Sequence, residues 1–450
     1  MKRHSARFYA FIIGYSFLPA FGLGQFPALD LPSGFGINIH FTGDVPDLDS
    51  IAAAGIKVIR QDLGWEAIER TRGVYNFAAP GYDALVSGCQ RRGIRLYLIL
   101  DYSNILYETD RSVTTDSGRA AFARFARAAA THYANRNFFW EIWNEPNISL
   151  FWSPAPNATD YVRLVAIAAP EIHAADPSGI ILATASSTMD FTWQQSCFQL
   201  GLLNHIDGVS VHPYRPGPPE SVASDYTRLR GMIQTSAPPG KNLPVVSGEW
   251  GYSNLNWDNA ILSDSVQAQY LIREFLINLY QQIPVSIWYD WKNDGTDPTN
   301  REHNFGIVEN NLQPKTATFA LRTLTGNLSG YRIESRMNLG DTNDYAFVLR
   351  NGQSLAWAFW TMNTAHSRTL PSAADNGRRL GMLGDSNRVN WTSTGYAATL
   401  RPTPQYMLLA GTYPLPLRKK AQRPTHSIHK FGSHRIEWKG RNLRGVWTRP

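Results

Sequence analysis

The chain is poor in cysteine, with two in 450 residues, so neither a disulfide framework nor a cysteine-rich metal centre can hold it together. Cys89 falls in a helical segment and Cys197 in a loop-like one, and both read as structural thiols. Long hydrophobic runs are also missing: the longest near the start, 8–18, has about eleven residues where a membrane span needs roughly twenty. His-x-His spacing does not occur, and the acids from Asp44 to Asp49 lack the pattern of a calcium loop, so no metal is expected. Neither a Gly-x-Ser-x-Gly elbow nor a phosphate-cradling loop is found, which removes serine hydrolases and nucleotide enzymes. No cofactor is called for.

The body of the chain also lacks excess positive charge, although the formal net charge is +7. Residues 418–450 hold ten Lys and Arg against one acid, Glu437, and the first residues add Lys2, Arg3 and Arg7. What remains has 30 basic and 35 acidic residues, which argues against a nucleic-acid binder. A monomer is expected.

Four regions follow from the pattern. Residues 1–24 read as a secretory signal peptide: a basic start, the apolar run 8–18, a break at Pro19, then small residues at Ala20, Gly22 and Gly24. Export to the periplasm or the medium is the consequence. Residues 25–326 alternate strand-like and helix-like stretches, with nearly continuous apolar strands of the kind covered on both faces. Eight strands are predicted, at 35–41, 56–61, 94–100, 138–143, 180–183, 208–212, 244–248 and 285–291, separated by helices such as 117–133, 158–175, 221–235 and 264–281. This α/β grammar predicts a (β/α)8 TIM barrel. From 327 to 416 the strands are short and bounded by Gly, Asn or Asp, which predicts a small antiparallel β-sandwich. Its Trp357, Trp360 and Trp391 suit either carbohydrate binding or packing, and a buttress for the barrel is the simpler use. Residues 417–450 form a basic tail, expected to be disordered or loosely attached, whose charge suits an anionic polysaccharide or a cell surface.

Chemistry concentrates at predicted strand ends. Trp143-Asn144-Glu145-Pro146-Asn147 closes the run 138–143, and Glu249 closes the run 244–248. Glycosidic bond cleavage needs one carboxyl group to protonate the leaving oxygen and a second to attack or stabilise the anomeric carbon. On strands four and seven of a barrel, Glu145 and Glu249 would face each other across one mouth. Arg60, ending strand two, can hold Glu249 ionised, and Asn144 can bind a sugar 2-hydroxyl. His212 and Tyr214 end strand six, His40 ends strand one and Asp101 ends strand three. Trp288 shares a predicted face of strand eight with Asp290 and Lys292. Trp250, Trp65, Trp152 and Trp193 fall on upper loops, where aromatic faces stack on sugars. Fourteen Trp and twenty Tyr make such a mouth affordable in residues, although most aromatics in any barrel are core.

From about 35 to 415 the chain resembles clan A of the glycoside hydrolases, whose barrels carry an Asn-Glu pair after strand four and a Glu after strand seven. The sandwich and the Trp-Asn-Glu-Pro-Asn wording look most like family 39 and its bacterial exopolysaccharide-degrading relatives. The resemblance implies that Glu145 is the acid/base, that Glu249 is the nucleophile and that configuration is retained, with Trp288 as platform beneath the reacting sugar and a β-linked glycan as substrate. Endo action on an exopolysaccharide or cell-wall glycan is the expected activity. An exo-acting β-xylosidase-like enzyme, a transglycosidase and a non-catalytic carbohydrate-binding barrel are the alternatives.

Overall fold

The computed structural model describes residues 24–255, 261–372, 374–391 and 394–411. The signal-peptide segment, all but its last residue, and the basic tail lie outside the described residues. Eight parallel strands close a barrel in sequence order: β1 (Phe35–Asn38), β2 (Val58–Gly64), β3 (Arg95–Asp101), β4 (Phe139–Ile142), β5 (Ile180–Ser187), β6 (Gly208–His212), β7 (Val245–Trp250) and β8 (Ser286–Trp288), with β8 paired back to β1.

Side-chain alternation explains why these strands read as continuous apolar runs. One parity fills the barrel with a plug of Val58, Tyr97, Phe139, Ile180, Leu182, Val246, Val285 and Ile287. The other parity, including Ile59, Leu98, Trp140, Ile181 and Val209, packs outward against the helices. Two residues further along the inward parity the barrel turns polar, with Asn38, Arg60 and Glu141 all buried. Ser210 and His212 on β6 are buried as well. The alternation that seals the floor therefore delivers the polar groups above it.

Helices return the chain between strands and start where short polar side chains satisfy their first N–H groups. Thr115 Oγ1 accepts from Gly118 N at 2.9 Å, and Asn157 Oδ1 accepts from Thr159 N and Asp160 N. Helices Asp116–His132, Ala158–Ala175 and Asp264–Tyr280 match their predicted spans within a residue or so. Cys197 sits in helix Phe191–Gln199 rather than in a loop, and both thiols are buried and free. Among the described residues no helix is long and apolar enough to cross a membrane.

After helix Thr316–Leu328 the chain forms β9 (Arg332–Arg336), β10 (Asp344–Asn351), β11 (Ser354–Thr361), β12 (His366–Leu370), β13 (Asn376–Gly381), β14 (Ser386–Asn390), β15 (Tyr396–Leu400) and β16 (Gln405–Leu409). A six-stranded antiparallel sheet, ordered β14-β13-β16-β11-β10-β9, faces a two-stranded one, β12-β15. The sequence pattern misses β14, whose Ser, Asn and Arg leave it without an apolar face. On β10 and β11 both faces are apolar because both are covered. Phe347, Ala358 and Trp360 join the barrel's outer cluster, while Ala346, Trp357 and Phe359 pack with Leu370 and Leu400 of the small sheet. Trp360 stacks on Tyr345 with centroids 5.0 Å apart, and its Nε1 donates to Glu220 Oε1 at 2.6 Å. Glu220 also receives Arg273 at 2.6 and 2.7 Å, so one buried carboxylate clamps sandwich to barrel. Trp357 and Trp360 are thus packing residues, and Trp391 packs beside Trp357 with its Nε1 on Ala374 O.

Candidate active site

Arg60 is the hub of the upper barrel layer. It is fully buried, and its five N–H donors go to Glu141 Oε2 (from Nε at 3.1 Å and Nη2 at 2.8 Å), Asn144 Oδ1 (2.8 Å), Asn38 Oδ1 (3.1 Å) and Glu249 Oε2 (2.5 Å). A planar guanidinium can serve several acceptors at fixed angles in this way, which an ammonium cannot. Its pairing partners are Glu141 and Glu249, not the nearer-in-sequence Asp62 or Glu66. The two buried carboxylates raise its pKa even though burial opposes them.

Glu249 reaches this hub through an irregularity. Val246 belongs to the plug, and Gly248 faces inward, where a Cβ would meet Ser210 Oγ at 2.2 Å and Tyr97 Oη at 2.9 Å. Strict alternation would send residue 249 outward. The β7–β8 register shifts between Ser247 and Trp250, and this bulge turns Glu249 inward and Trp250 into the outer layer. Glu249 Oε1 accepts from Tyr214 Oη at 2.8 Å. Burial pushes its pKa up, but His212, Arg60 and the Tyr214 hydrogen bond outweigh that and hold it below the ordinary carboxylate range.

Glu145 is aimed by strained backbone. Trp143 and Glu145 both take positive φ, 71° and 46°, in a region that costs non-glycine residues of order 1 kcal/mol. Trp143 N still donates to Leu100 O of β3, and Glu145 N to Ala185 O of β5, so the strained segment is pinned on both sides. Asn144 accepts from Arg60 and donates to Tyr102 Oη at 3.1 Å. Glu145 Oε1 lies 2.9 Å from His212 Nδ1, and both side chains are buried. One carboxylate oxygen from each of Glu145 and Glu249 and a ring nitrogen of His212 all fall within 4.8 Å of one another. So close an approach leaves no room for the water that inverting glycosidases hold between carboxyl groups roughly 6.5–9.5 Å apart.

Glu141 is the functional residue that sequence reasoning misses. It lies inside the run that reads as apolar, is 0 % exposed, and accepts Tyr97 Oη at 2.5 Å besides Arg60. The available signal is a lone acid at the inward parity of a buried strand, two residues beyond Phe139.

Two aromatic assignments need correction. Trp250 and Trp288 are both 0 % exposed and offer no face to an incoming sugar. Because Val285 and Ile287 fill the plug, residue 289 continues inward and Trp288 points to the helix layer. Tyr289 is the aromatic at the mouth, with its ring 5.4 Å from His40, 6.4 Å from Tyr214 and 5.1 Å from Phe305. Trp65, Trp152 and Trp193 are core as well.

The rim carries His40, 39 % exposed, with Nε2 3.3 Å from Asp290 Oδ2. Burial lowers the His40 pKa, but Asp290, Asp294 and Asp62 raise it to about 9, while burial lifts Asp290 to about 7. Asp101 is buried, and burial pushes its carboxyl and that of Asp62 up. Those two acids and Tyr102 border a cleft of about 570 Å³ that also involves Glu66, Arg70 and Arg111.

Comparison with known proteins fits this geometry. Residues 33–295 match the family model described as cellulase (glycosyl hydrolase family 5). A β-xylosidase from Geobacillus stearothermophilus is 24 % identical over 159 residues, 31 % of this chain and only 30 % of the relative's length. Among solved structures, a family 39 glycoside hydrolase from the gut symbiont Bacteroides cellulosilyticus WH2 has a TM-score of 0.74 at 24 % identity, covering 85 % of this chain and 81 % of that one. A family 39 β-xylosidase from Caulobacter crescentus has a TM-score of 0.62 at 17 % identity, covering 86 % and 97 %. A family 30 endoxylanase from Clostridium papyrosolvens C71 has 0.60 at 12 %, covering 86 % and 98 %. At these identities the structural likenesses speak for the fold. With more than half its length matched by the family model, the chain belongs to the cellulase family (glycosyl hydrolase family 5) of clan A.

Proposed function

We propose that Glu249 is the nucleophile and Glu145 the acid/base of a secreted enzyme that cleaves a β-linked glycan internally. The observation that carries the roles is the asymmetry of the two carboxylates. Glu249 is held ionised between Arg60 and Tyr214, as a nucleophile must be, whereas Glu145 faces the imidazole of His212 at 2.9 Å. In the first step Glu145 gives its proton to the leaving oxygen while a Glu249 oxygen bonds the anomeric carbon. In the second, Glu145 takes a proton from water, which displaces Glu249. Asn144 would bind the sugar 2-hydroxyl, Arg60 and His212 would position the two carboxylates, and His40 and Tyr214 would contact substrate at the mouth.

Endo action is supported by the cleft bordered by Asp62, Asp101 and Tyr102, which adjoins Asn144 through Tyr102 Oη and has room for further sugar units. Export is supported by the basic and apolar start of the chain, and an exopolysaccharide or cell-wall glycan is the substrate this favours. The named activity of the Geobacillus relative favours a second reading, exo-acting release of xylose. A panel of β-glycans with product lengths resolved by mass separates the two: a ladder of oligosaccharides supports endo action, and monosaccharide alone overturns it. Glu249→Gln that still hydrolyses a cleaved glycan at the wild-type rate would remove the nucleophile assignment.

A further inference from the structure

We propose a divalent-cation site at the barrel rim, built from His40, Asp290, Asp294 and Asn293 and separate from the two catalytic carboxylates. His40 follows β1 and the other three follow β8, so the closure of the barrel brings together residues 250 positions apart. One ligand atom from each of His40, Asp290 and Asp294 lies within 4.8 Å of the others. His40 Nε2 is 3.3 Å from Asp290 Oδ2 and 3.9 Å from Asp294 Oδ2.

An acidic cluster alone would be a solvated patch, and two buried side chains argue otherwise. Asp290 is 1 % exposed and faces His40 Nε2 at 3.3 Å, but neither of its carboxylate oxygens accepts a hydrogen bond of good geometry. Asn293 is 4 % exposed and its Oδ1 is likewise unpartnered. Its amide orientation is fixed, because Nδ2 donates to Glu309 Oε2 at 2.9 Å, which leaves the oxygen as the free end. Both side chains line one cavity of about 100 Å³ together with His40 and Asp294, large enough for an ion and a water or two. Orphaned buried acceptors cost about 1–3 kcal/mol each, more when charged, and a cation satisfies them all at once.

The nearby lysines are committed elsewhere. Lys292 Nζ lies 3.7 Å from Asp47, and Lys315 pairs with Asp264 and Asn254. With one imidazole and three or more oxygens, the ligand set suits Mn²⁺ or Zn²⁺ better than Ca²⁺, which favours oxygen alone. The bound ion would tie the end of β8 to the end of β1 beside Tyr289.

The test uses the full chain stripped with EDTA, titrated by calorimetry and thermal melting with MnCl2, ZnCl2 and CaCl2. One equivalent of Mn²⁺ or Zn²⁺ should bind, raising Tm by about 3 °C at a hundredfold excess over Kd, with Ca²⁺ weaker. Asp290→Asn tests the buried ligand directly. Asp294→Asn, on the exposed rim where folding is not at stake, should weaken binding by roughly tenfold or more, while Glu249→Gln should leave it unchanged. No saturable binding up to about 1 mM, the weak end of biological divalent sites, overturns the proposal. So does binding that survives Asp294→Asn, above all if Glu249→Gln abolishes it, since the ion would then sit on the catalytic carboxylates.

Discussion

Replacing Arg60 with Met tests the hub from which the site is built. The change removes five donors and the one cation between Glu141 and Glu249, leaving two carboxylates facing each other inside the barrel. Breaking a buried pair from one side costs about 3–5 kcal/mol, because an uncompensated charge remains. For a chain of this size that is a fall in Tm of roughly 3–5 °C, read by calorimetry. Activity should fall about a hundredfold or more, since Asn144 and Glu249 both lose the group that orients them. Arg60 lowers the Glu249 pKa, so its removal should also move the acidic limb of kcat upward in pH. The double variant Arg60→Met, Glu141→Gln separates the structural from the functional share. Removing the second charge should restore part of the stability, with a coupling of about 1–3 kcal/mol, but none of the activity. If Arg60→Met keeps its Tm within about 1 °C, or the double variant is less stable than the sum of the singles, Arg60 is not compensating Glu141 and the reasoning fails.

Glu145→Gln should abolish hydrolysis of natural glycans while sparing much of the first step on aryl glycosides with acidic leaving groups, which need no proton; a burst of released phenol checks this. Tyr214→Phe removes a hydrogen bond that helps keep Glu249 ionised. Glu249 has a depressed pKa, so its working form persists as pH falls toward that value, and the variant's acidic limb should appear at higher pH; an unmoved limb in the kcat profile would discount the contact. Trp360→Phe deletes the donor to Glu220 at the clamp between sandwich and barrel and should lower stability by about 1–3 kcal/mol in denaturant melts, with KM unchanged. Proton NMR of the first product should show the substrate's own anomer before mutarotation, as retention requires.

Much of this arrangement is written in local pattern. Eight apolar strands with helices between them specify a parallel barrel, because strands covered on both faces carry apolar residues at both parities. That count alone puts Glu145, Arg60, His212 and Glu249 at one mouth. Irregular backbone was not legible in the same way. The clan resemblance implies Trp288 as the platform beneath the sugar, but the plug residues Val285 and Ile287 fix the opposite parity and bring Tyr289 to the mouth instead. Trp250 was misplaced for a related reason: a bulge consumes one residue of β7, and that bulge is set by pairing with β8.

The sequence by itself determined the barrel, the sandwich after it and the two carboxylates, since hydrophobic periodicity and residue type are local properties. Only the tertiary structure decided which buried groups share a charge. Glu141 meets Arg60 across 81 positions of chain, and Asp290 meets His40 across 250, because barrel closure makes neighbours of strands that sequence keeps apart. Electrostatic pairing depends on distance in space, and no one-dimensional pattern carries that distance.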